Sequence, residues 1–460
     1  MSKTHQSQIE GAMSRLAQTA YGIERASGAD WRRIVASDQT VWDLDTSFEN
    51  DANYDTGSDL ANDIWAVNND SSITVPFDFN FQDIPYWLHM ALGGYAVSGS
   101  AAYSHVFTPQ NVNVSRQFPV RTFLKKYGGL KTLMIPDGRV EQLTISGGKS
   151  GRLTCSAQVR GSGRYEEDPA GYAVPALEDD REFGYASHAR FRFDVAGEGT
   201  RQVETLTLTG TASASGNITV VLSGALLTKD IIVAVTNGDS ASVAAGKVRE
   251  TMVADPDVYE HFIVSGAGAN VILTARIKAA NDTTLEMATN SGATGLDDIG
   301  TSASTTAGVA GDTQSYHCLI QSWSLNFSNP EADPGYNACS DYLVDGDVQS
   351  GQVRSEHLTG VRDYMFDFEV WLDTGDKMRG WLRERQDLVL TIPIVSEEYI
   401  PTTGAFYQMT IEHTKARIIQ AKETISGNFI GISGRAQLLS DSGAIPLTVT
   451  VINDVPSYTS

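Results

Sequence analysis

The chain has 460 residues, of which 41% are apolar, so it is long enough to form two or three domains with their own cores. Its 34 basic and 56 acidic residues give a formal net charge of −22, which repels phosphate backbones and disfavours tight nucleic-acid binding. Cys155, Cys318 and Cys339 show no CxxC spacing, so a disulfide framework and a structural zinc site are both disfavoured. The first 25 residues lack the apolar core of a signal peptide, and no apolar stretch is long enough for a spanning helix.

Most segments alternate apolar and polar residues between turns rich in Gly, Asn, Asp and Pro, which predicts a mainly β fold. Short helices flank the strands. The clearest is predicted to begin at Asp83, with Pro85 in its first turn, and to end at Gly93-Gly94. Another is predicted to start near Thr374 and to place Met378 and Trp381 on one face.

The two halves of the chain share an order of motifs. Phe77-Asp78-Phe79 precedes the first predicted helix, and Phe366-Asp367-Phe368 precedes the second. Further upstream, Trp42-Asp43-Leu44 corresponds to Trp323-Ser324-Leu325. This recurrence favours an internal duplication, and chance similarity between short motifs is the alternative.

Residues 204–312 differ from both flanks, because they are rich in Thr, Ser, Ala, Gly and Val and contain almost no aromatic residues. We interpret them as a small inserted α+β domain with one helix opening at Ser240 or Ser242, and residues 292–311 as its exit linker. The predicted division is an N-terminal arm (1–28), a core in two parts (29–203 and 313–440), the inserted surface domain (204–312) and a C-terminal extension (441–460).

No motif indicates catalysis, a cofactor site or a metal site, and we expect that the protein is not an enzyme. Gly147-Gly148-Lys149-Ser150-Gly151 lacks phosphate-loop spacing, and the acid-rich segment 341–347 lacks the spacing of a calcium loop and predicts a hairpin turn at Asp345-Gly346. The histidines are scattered. The acidic runs Glu166-Glu167-Asp168 and Glu178-Asp179-Asp180 lie in predicted loops, where adjacent carboxylates are usually solvated.

Several motifs occur in succession: Trp42-Asp43-Leu44, the helix motif beginning Asp83-Ile84-Pro85, Tyr103-Ser104-His105-Val106-Phe107-Thr108-Pro109, an aromatic-rich hairpin over 118–127, and Leu143-Thr144-Ile145-Ser146-Gly147-Gly148. This succession resembles the tail tube proteins, or major tail proteins, of long-tailed, siphovirus-like bacteriophages. The resemblance covers residues 29–203 and 316–440 and leaves out the insert.

The resemblance implies a β-sandwich-like subunit that forms a barrel: six subunits close a ring by joining their sheets into a β-barrel, and the rings stack into a tube in the virion tail. It implies assembly in the host cytoplasm together with other tail proteins (tape measure, terminator and distal tail proteins). Genomic DNA would pass through the lumen during ejection without specific binding, past an acidic lining. No cofactor and no turnover are implied.

On this interpretation the basic hairpin over 116–135 is the candidate contact between subunits or rings, and its candidate residues are Arg116, Arg121, Lys125, Lys126, Tyr127 and Lys131. The N-terminal arm and the segment 447–451 are further candidates. We expect the insert to decorate the outer surface, with contact to host glycans as its alternative role. The competing functions are a carbohydrate-binding or carbohydrate-active β-protein, with Glu167 and Asp180 as carboxylates to test, and another phage structural protein such as a capsid decoration or baseplate protein.

Overall fold

The structure is a computed structural model that describes residues 9–26, 28, 30–38, 40–50, 64–100, 102–111, 115, 117–178, 180–296, 301–316, 319–333, 341–344, 347–350, 354, 357–372, 376–401, 405–426, 429–441 and 443–459. It confirms a mainly β fold, with eighteen strands joined in one hydrogen-bonded network and further small sheets. The elements before the insert are β1 (Ile9–Ser14), β2 (Trp31–Ile34), β3 (Asp43–Asn50), β4 (Ile64–Asp78), α1 (Ile84–Leu92), β5 (Gly93–Ser100), β6 (Ala102–Pro109), β7 (Arg121–Tyr127), β8 (Lys131–Gly148), β9 (Thr154–Gly161), β10 (Glu166–Glu167), a 3₁₀ turn (Ala186–His188) and β11 (Phe191–Val195).

The described residues of the insert form seven strands and two helices: β12 (Val203–Thr207), β13 (Gly216–Ser223), β14 (Lys229–Val235), α2 (Ala241–Ala254), α3 (Pro256–His261), β15 (Phe262–Ser265), β16 (Asn270–Ala275), β17 (Glu286–Asn290) and β18 (Ala303–Thr306). After it come β19 (Thr313–Tyr316), β20 (Ile320–Ser328), β21 (Glu331–Asp333), β22 (Asp341–Val344), β23 (Asp347–Ser350), β24 (Leu358–Thr359), β25 (Asp363–Trp371), α4 (Met378–Glu384), β26 (Leu388–Tyr399), β27 (Phe406–Ser426), β28 (Phe429–Leu438) and β29 (Leu447–Asn453).

Two structural repeats follow the same order along the chain. The first repeat consists of β1, β2, β3, β4, α1, β7, β8 and β9, and the second of β11, β19, β20, β25, α4, β26, β27 and β28. Corresponding strands have corresponding partners: β3 pairs with β4, β4 with β9 and β9 with β8, as β20 pairs with β25, β25 with β28 and β28 with β27. The pairing of β7 with β1 and of β1 with β2 likewise matches that of β26 with β11 and of β11 with β19. The chain is therefore internally duplicated.

The repeats align through a bulge that both long strands contain at the same place. The register shifts between Val140 and Gln142 in β8 and between Ile418 and Gln420 in β27. Anchored on this bulge, Phe366 of β25 corresponds to Ile73 of β4, because their partners on β28 and β9 correspond. The sequence-based match of Phe366 with Phe77 is thus displaced by four residues along the strand.

A continuous row of eight strands joins the repeats, in the order β3, β4, β9, β8, β20, β25, β28, β27. Side chains on one face of this row are buried in a single core that both repeats share, including Ile73, Leu143, Leu325 and Phe366. Helix α1 packs on β8, and α4 packs on β27. Buried positions alternate with partly exposed ones along β25 and along β20 from Trp323 onward, as the two-residue period of a strand requires.

The predicted first helix is confirmed, since α1 follows Asp83 and ends before Gly93, whose φ of 89° suits a residue without Cβ. Every residue of α1 is buried, and Trp87 stacks on Phe77. The Asp83 carboxylate does not cap the helix. The predicted second helix corresponds to α4, and Thr374 lies outside the described residues.

The described residues of the predicted arm and of the predicted extension include strands of the main sheets. Strand β1, within the predicted arm, pairs with β2 and β7. Strand β29, within the predicted extension, lies between β27 and β6, and Tyr458 beyond it is fully buried. These segments complete the subunit's own sheets.

The insert has two sheets, in the orders β15-β16-β12-β18 and β14-β13-β17, and a hydrophobic core of its own. The predicted Ser240 cap is confirmed, because its hydroxyl accepts a hydrogen bond from the Val243 amide at the start of α2. The predicted exit linker is wrong over 303–306, which forms β18 and pairs with β12. The insert occupies the connection between β11 and β19, which corresponds to the β1–β2 connection of the first repeat.

The separate cores predict separate unfolding transitions. Leu273 lies in the core of the insert and Leu325 in the core of the repeats, and both are fully buried. Replacing either leucine with alanine should cost about 2–5 kcal/mol of stability in its own transition only. Differential scanning calorimetry checks this, with each variant serving as the control for the other. A shift of both transitions by either substitution would contradict the separation.

Candidate assembly surface

The outer side of the eight-strand row is a polar face, which we define by the residues that alternate with the core. It is rich in Ser, Thr, Gln and Asn and has more acidic than basic side chains. The acidic members are Asp43, Asp45, Asp70, Asp78, Asp363, Asp367 and Glu369, and the basic members include Arg160, Arg417, Lys422 and Arg435. Such a face carries a net negative charge.

The arginines of the polar face are engaged by carboxylates. Arg435 pairs with Asp367 directly across the β25–β28 ladder, and Arg160 lies 3.2 Å from Glu141 and 3.5 Å from Asp70. These three ion pairs are partly exposed, so they contribute little to stability. Their effect is to neutralise cations that would otherwise attract phosphate groups.

The row ends in a strand edge on each side. Strand β3 pairs with β4 on one edge, and among the described residues it has no strand partner on the other. At the opposite end, β27 from Arg417 onward pairs with β28 and likewise has no second strand partner within the described ranges. Open edges present rows of backbone N–H and C=O groups that can pair with another chain. Sequence reasoning did not identify either edge, because edge status depends on long-range pairing.

The predicted contact residues fall into three groups. Arg116 lies outside the described residues. Lys126, Tyr127 and Lys131 lie near the tip of the β7–β8 hairpin, where Lys131 pairs with Glu167, and their contact role stays a prediction. Arg121 and Lys125 belong to the third group, which the structure places inside the subunit.

Arg121 is fully buried and donates to the carbonyls of Ser14, Arg15 and Tyr458. Burial lowers the pKa of its guanidinium to about 10. Lys125 donates to the Thr40 hydroxyl at 2.7 Å, and burial lowers its pKa to about 8. Both charged groups are bound by groups of the same subunit, so a contact with a neighbouring subunit through them would require these hydrogen bonds to break. Their contact role stays a prediction.

The acidic loop that contains Glu178 and Asp180 is ion-paired, in contrast to the predicted solvated state. Arg32 binds Asp180 through two hydrogen bonds of 2.9 Å, contacts Glu178, and also binds Asp83 at 2.6 Å. Partial burial tends to raise the pKa of Asp180, but the hydrogen bonds and charge of Arg32 outweigh it and hold that pKa below its usual range. Arg181 binds the second oxygen of Asp83 at 2.9 Å. This cluster fixes the loop across β2.

The described residues contain no group of three or more His, Cys, Asp or Glu side chains arranged to hold a metal ion. Cys155 is buried, and burial raises the pKa of its thiol. Strands β22 and β23 pair as the predicted hairpin would require, while Asp345 and Gly346 lie outside the described residues. In the described part of the chain, no helix is long and apolar enough to cross a membrane.

Lys125 predicts a pH dependence of stability. Its pKa is lower in the folded protein than in the unfolded chain, so the unfolded state binds more protons between about pH 8 and 10.5, and stability should rise with pH there. The slope from one such group is at most about 1.4 kcal/mol per pH unit. Lys125→Met should be more stable than the wild type at pH 7 and should lose this slope.

Urea unfolding at pH 7, 8.5 and 10 measures the effect as the difference between variant and wild type. Lys126→Met is the matched control, because the Lys126 side chain is 45% exposed and its replacement should change stability and slope much less. A Lys125→Met variant that retains the wild-type slope would refute the assignment of this pH dependence to Lys125.

Arg32 predicts a large loss of stability when its charge is removed. Arg32→Met leaves the buried Asp83 carboxylate with one cationic partner fewer and releases the loop at Asp180, so we expect a loss of about 3–5 kcal/mol. Arg379→Met, which breaks the exposed pair with Glu423, should cost less than about 1 kcal/mol. Equal losses in urea unfolding would contradict the difference in burial.

Comparison with known proteins adds one relative. No protein-family profile matches the chain. A segment of 97 residues is 31% identical to part of the Mu-like prophage FluMu tail sheath protein of Haemophilus influenzae (strain ATCC 51907 / DSM 11121 / KW20 / Rd). The match covers 21% of this chain and 19% of the relative, so the similarity extends over a domain-sized part of each protein. It supports a structural role in a phage tail.

Proposed function

We propose that the protein is the tail tube subunit of a bacteriophage, a structural protein without turnover. The observation that carries the proposal is the continuous eight-strand row, which has a polar face and an open strand edge at each end. Joining such edges between subunits closes a sheet into a barrel, and closure removes the exposed edges. The resemblance of residues 29–203 and 316–440 to tail tube proteins supports the same function.

In this proposal the polar face lines the lumen and the core side faces outward. The excess of acidic side chains on that face would limit adhesion of DNA phosphates during ejection. The pairing of Arg160 and Arg435 with carboxylates supports this, because it reduces the attraction of these cations for a polyanion. DNA would thus pass without specific binding.

The remaining details of the proposal follow the resemblance. Rings of six subunits would stack into a tube in the virion tail. The tube would be assembled in the host cytoplasm together with tape measure, terminator and distal tail proteins. The insert would decorate the outer surface, with host glycans as candidate ligands. The absence of an enzyme activity is supported by Glu167 and Asp180, the two carboxylates considered for glycan hydrolysis, since each is bound to a cation.

The tail sheath relative favours a second candidate, a sheath-type subunit that surrounds a separate tube. The relative carries the name of a sheath protein, but the similarity extends over only a fifth of either chain. A shared domain of that size fits a module that different tail proteins can contain. We therefore retain the tube as the first proposal and design the experiment to separate the two.

Negative-stain microscopy of the purified protein at high concentration tests the proposal. A tube subunit should form rings or tubes with a central channel. Gold coupled to a cysteine at Gln158, an exposed position on the polar face, should appear inside the channel. Gold at Asn237, in an exposed turn of the insert, should appear on the outside. Outside labelling at Gln158 would favour the sheath-type subunit, and a monodisperse monomer at every concentration would refute both.

A further inference from the structure

The junction between the two repeats shows how one repeat binds the next. The second half of β8 lies between two strands: Leu143 is opposite Ala157 of β9 on one edge and opposite Phe327 of β20 on the other. The β8–β20 ladder runs antiparallel from Gln142 opposite Ser328 to Gly148 opposite Ser322. This ladder joins the last long strand of the first repeat to the first row strand of the second.

The same two surfaces occur once more in the chain. Strand β27 corresponds to β8 and has the same bulge, and its segment from Arg417 to Thr424 forms one of the open edges. Strand β3 corresponds to β20 and forms the other. One end of the row therefore presents an edge equivalent to that of β8, and the other end presents an edge equivalent to that of β20.

We infer that β27 of one chain pairs with the β3 segment of a second copy of the chain, antiparallel and in the register of the β8–β20 ladder. The register follows from the alignment of the repeats. Because Phe366 corresponds to Ile73, Asn326 corresponds to Asp43, and the bulge makes Thr144 correspond to Lys422. Thr144 lies opposite Asn326 in the intrachain ladder, so Lys422 lies opposite Asp43 between chains.

The chemistry of the two edges fits this register. Lys422 and Asp43 are both exposed and carry opposite charges, and opposite charges directly across a strand pair favour the pairing. On the other face, half-buried Ala421 meets half-buried Leu44, so pairing completes the burial of both. In the intrachain ladder the corresponding positions, Leu143 and Phe327, are fully buried.

Exposed apolar side chains lie along the same edges. Ile419 and Ile425 of β27 are 45% and 79% exposed, and Val41 beside β3 is 58% exposed. A long open edge with such residues favours association with another strand. The two edges differ from each other, so the contact is head-to-tail and generates a ring when the rotation closes.

The inference changes the expected number of chains, and here it rests on the proposed function. Each chain supplies two successive positions of the ring, and junctions within a chain alternate with junctions between chains. A ring of six positions therefore contains three chains, in place of the six chains that the sequence resemblance implied.

Cysteine crosslinking tests the register and the number of chains together. A chain with Lys422→Cys and Asp43→Cys should form disulfides between subunits under mild oxidation, because directly opposed residues in antiparallel strands have Cα separations within the range of a disulfide. Non-reducing electrophoresis should show a ladder that ends at three chains. Lys422→Cys with Ser47→Cys, four residues out of register, is the matched control, and the single variants report background from the native cysteines.

The outcomes test the register of the ladder, the number of chains and the proposed function separately. Crosslinking of the in-register pair no better than that of the control would refute the ladder, and a ladder that continues to six chains would refute the count of three. In either case rings seen by microscopy would leave the proposed function intact. A wild-type protein that never assembles would refute both.

Charge reversal provides a second measurement. Asp43→Lys alone and Lys422→Asp alone place like charges opposite each other and should raise the concentration needed for assembly severalfold in sedimentation velocity at low salt. The double variant restores opposite charges and should recover most of the loss. A double variant that assembles no better than the worse single variant would contradict the predicted pair.

Discussion

The architecture depends on the backbone hydrogen-bonding capacity of strand edges. A β-sheet that ends in solvent leaves a row of N–H and C=O groups without sheet partners, and other chains can pair with these groups. Inside this chain the requirement is met at the centre of the row, where β8 binds β20 and joins the two repeats. The junction buries Leu143, Leu325 and Phe327, so one shared core serves both repeats.

The helices and loops follow from this sheet. Helix α1 and helix α4 each pack on the long strand of their own repeat, which places apolar bulk on one face and leaves the other face polar. In the Arg32 cluster, a buried cation between Asp83 and Asp180 fixes the loop that contains Glu178 and Asp180. The polar face thus results from the alternation of side chains along the strands.

Local signals in the sequence predicted local structure well. Asp83, Pro85 and Gly93 located α1, Ser240 located the start of α2, and two-residue alternation predicted the strands of the polar face. Long-range features were outside the reach of these signals. The duplication was recognised from Phe77 and Phe366, yet these residues do not correspond, because register is set by cross-strand partners that no short motif specifies.

Charged residues show the same limit. Lys125 and Arg121 have the sequence context of a solvated basic hairpin, but the carbonyl groups and hydroxyl that bind them come from distant segments of the chain. Glu178 and Asp180 likewise depend on Arg32, far away in sequence.

The insert occupies the β11–β19 connection and has no counterpart of its size between β1 and β2. The two halves of the chain therefore share the same strand pairing and differ in this connection. A particle built from single-repeat subunits would carry such a domain at every position or at none. Covalent fusion of two repeats removes that restriction, because each half can change its outer loops while both preserve the same strand edges. In the proposed ring, surface domains on alternate positions would have twice the lateral room, which would allow a bulky exterior around a closely packed inner wall.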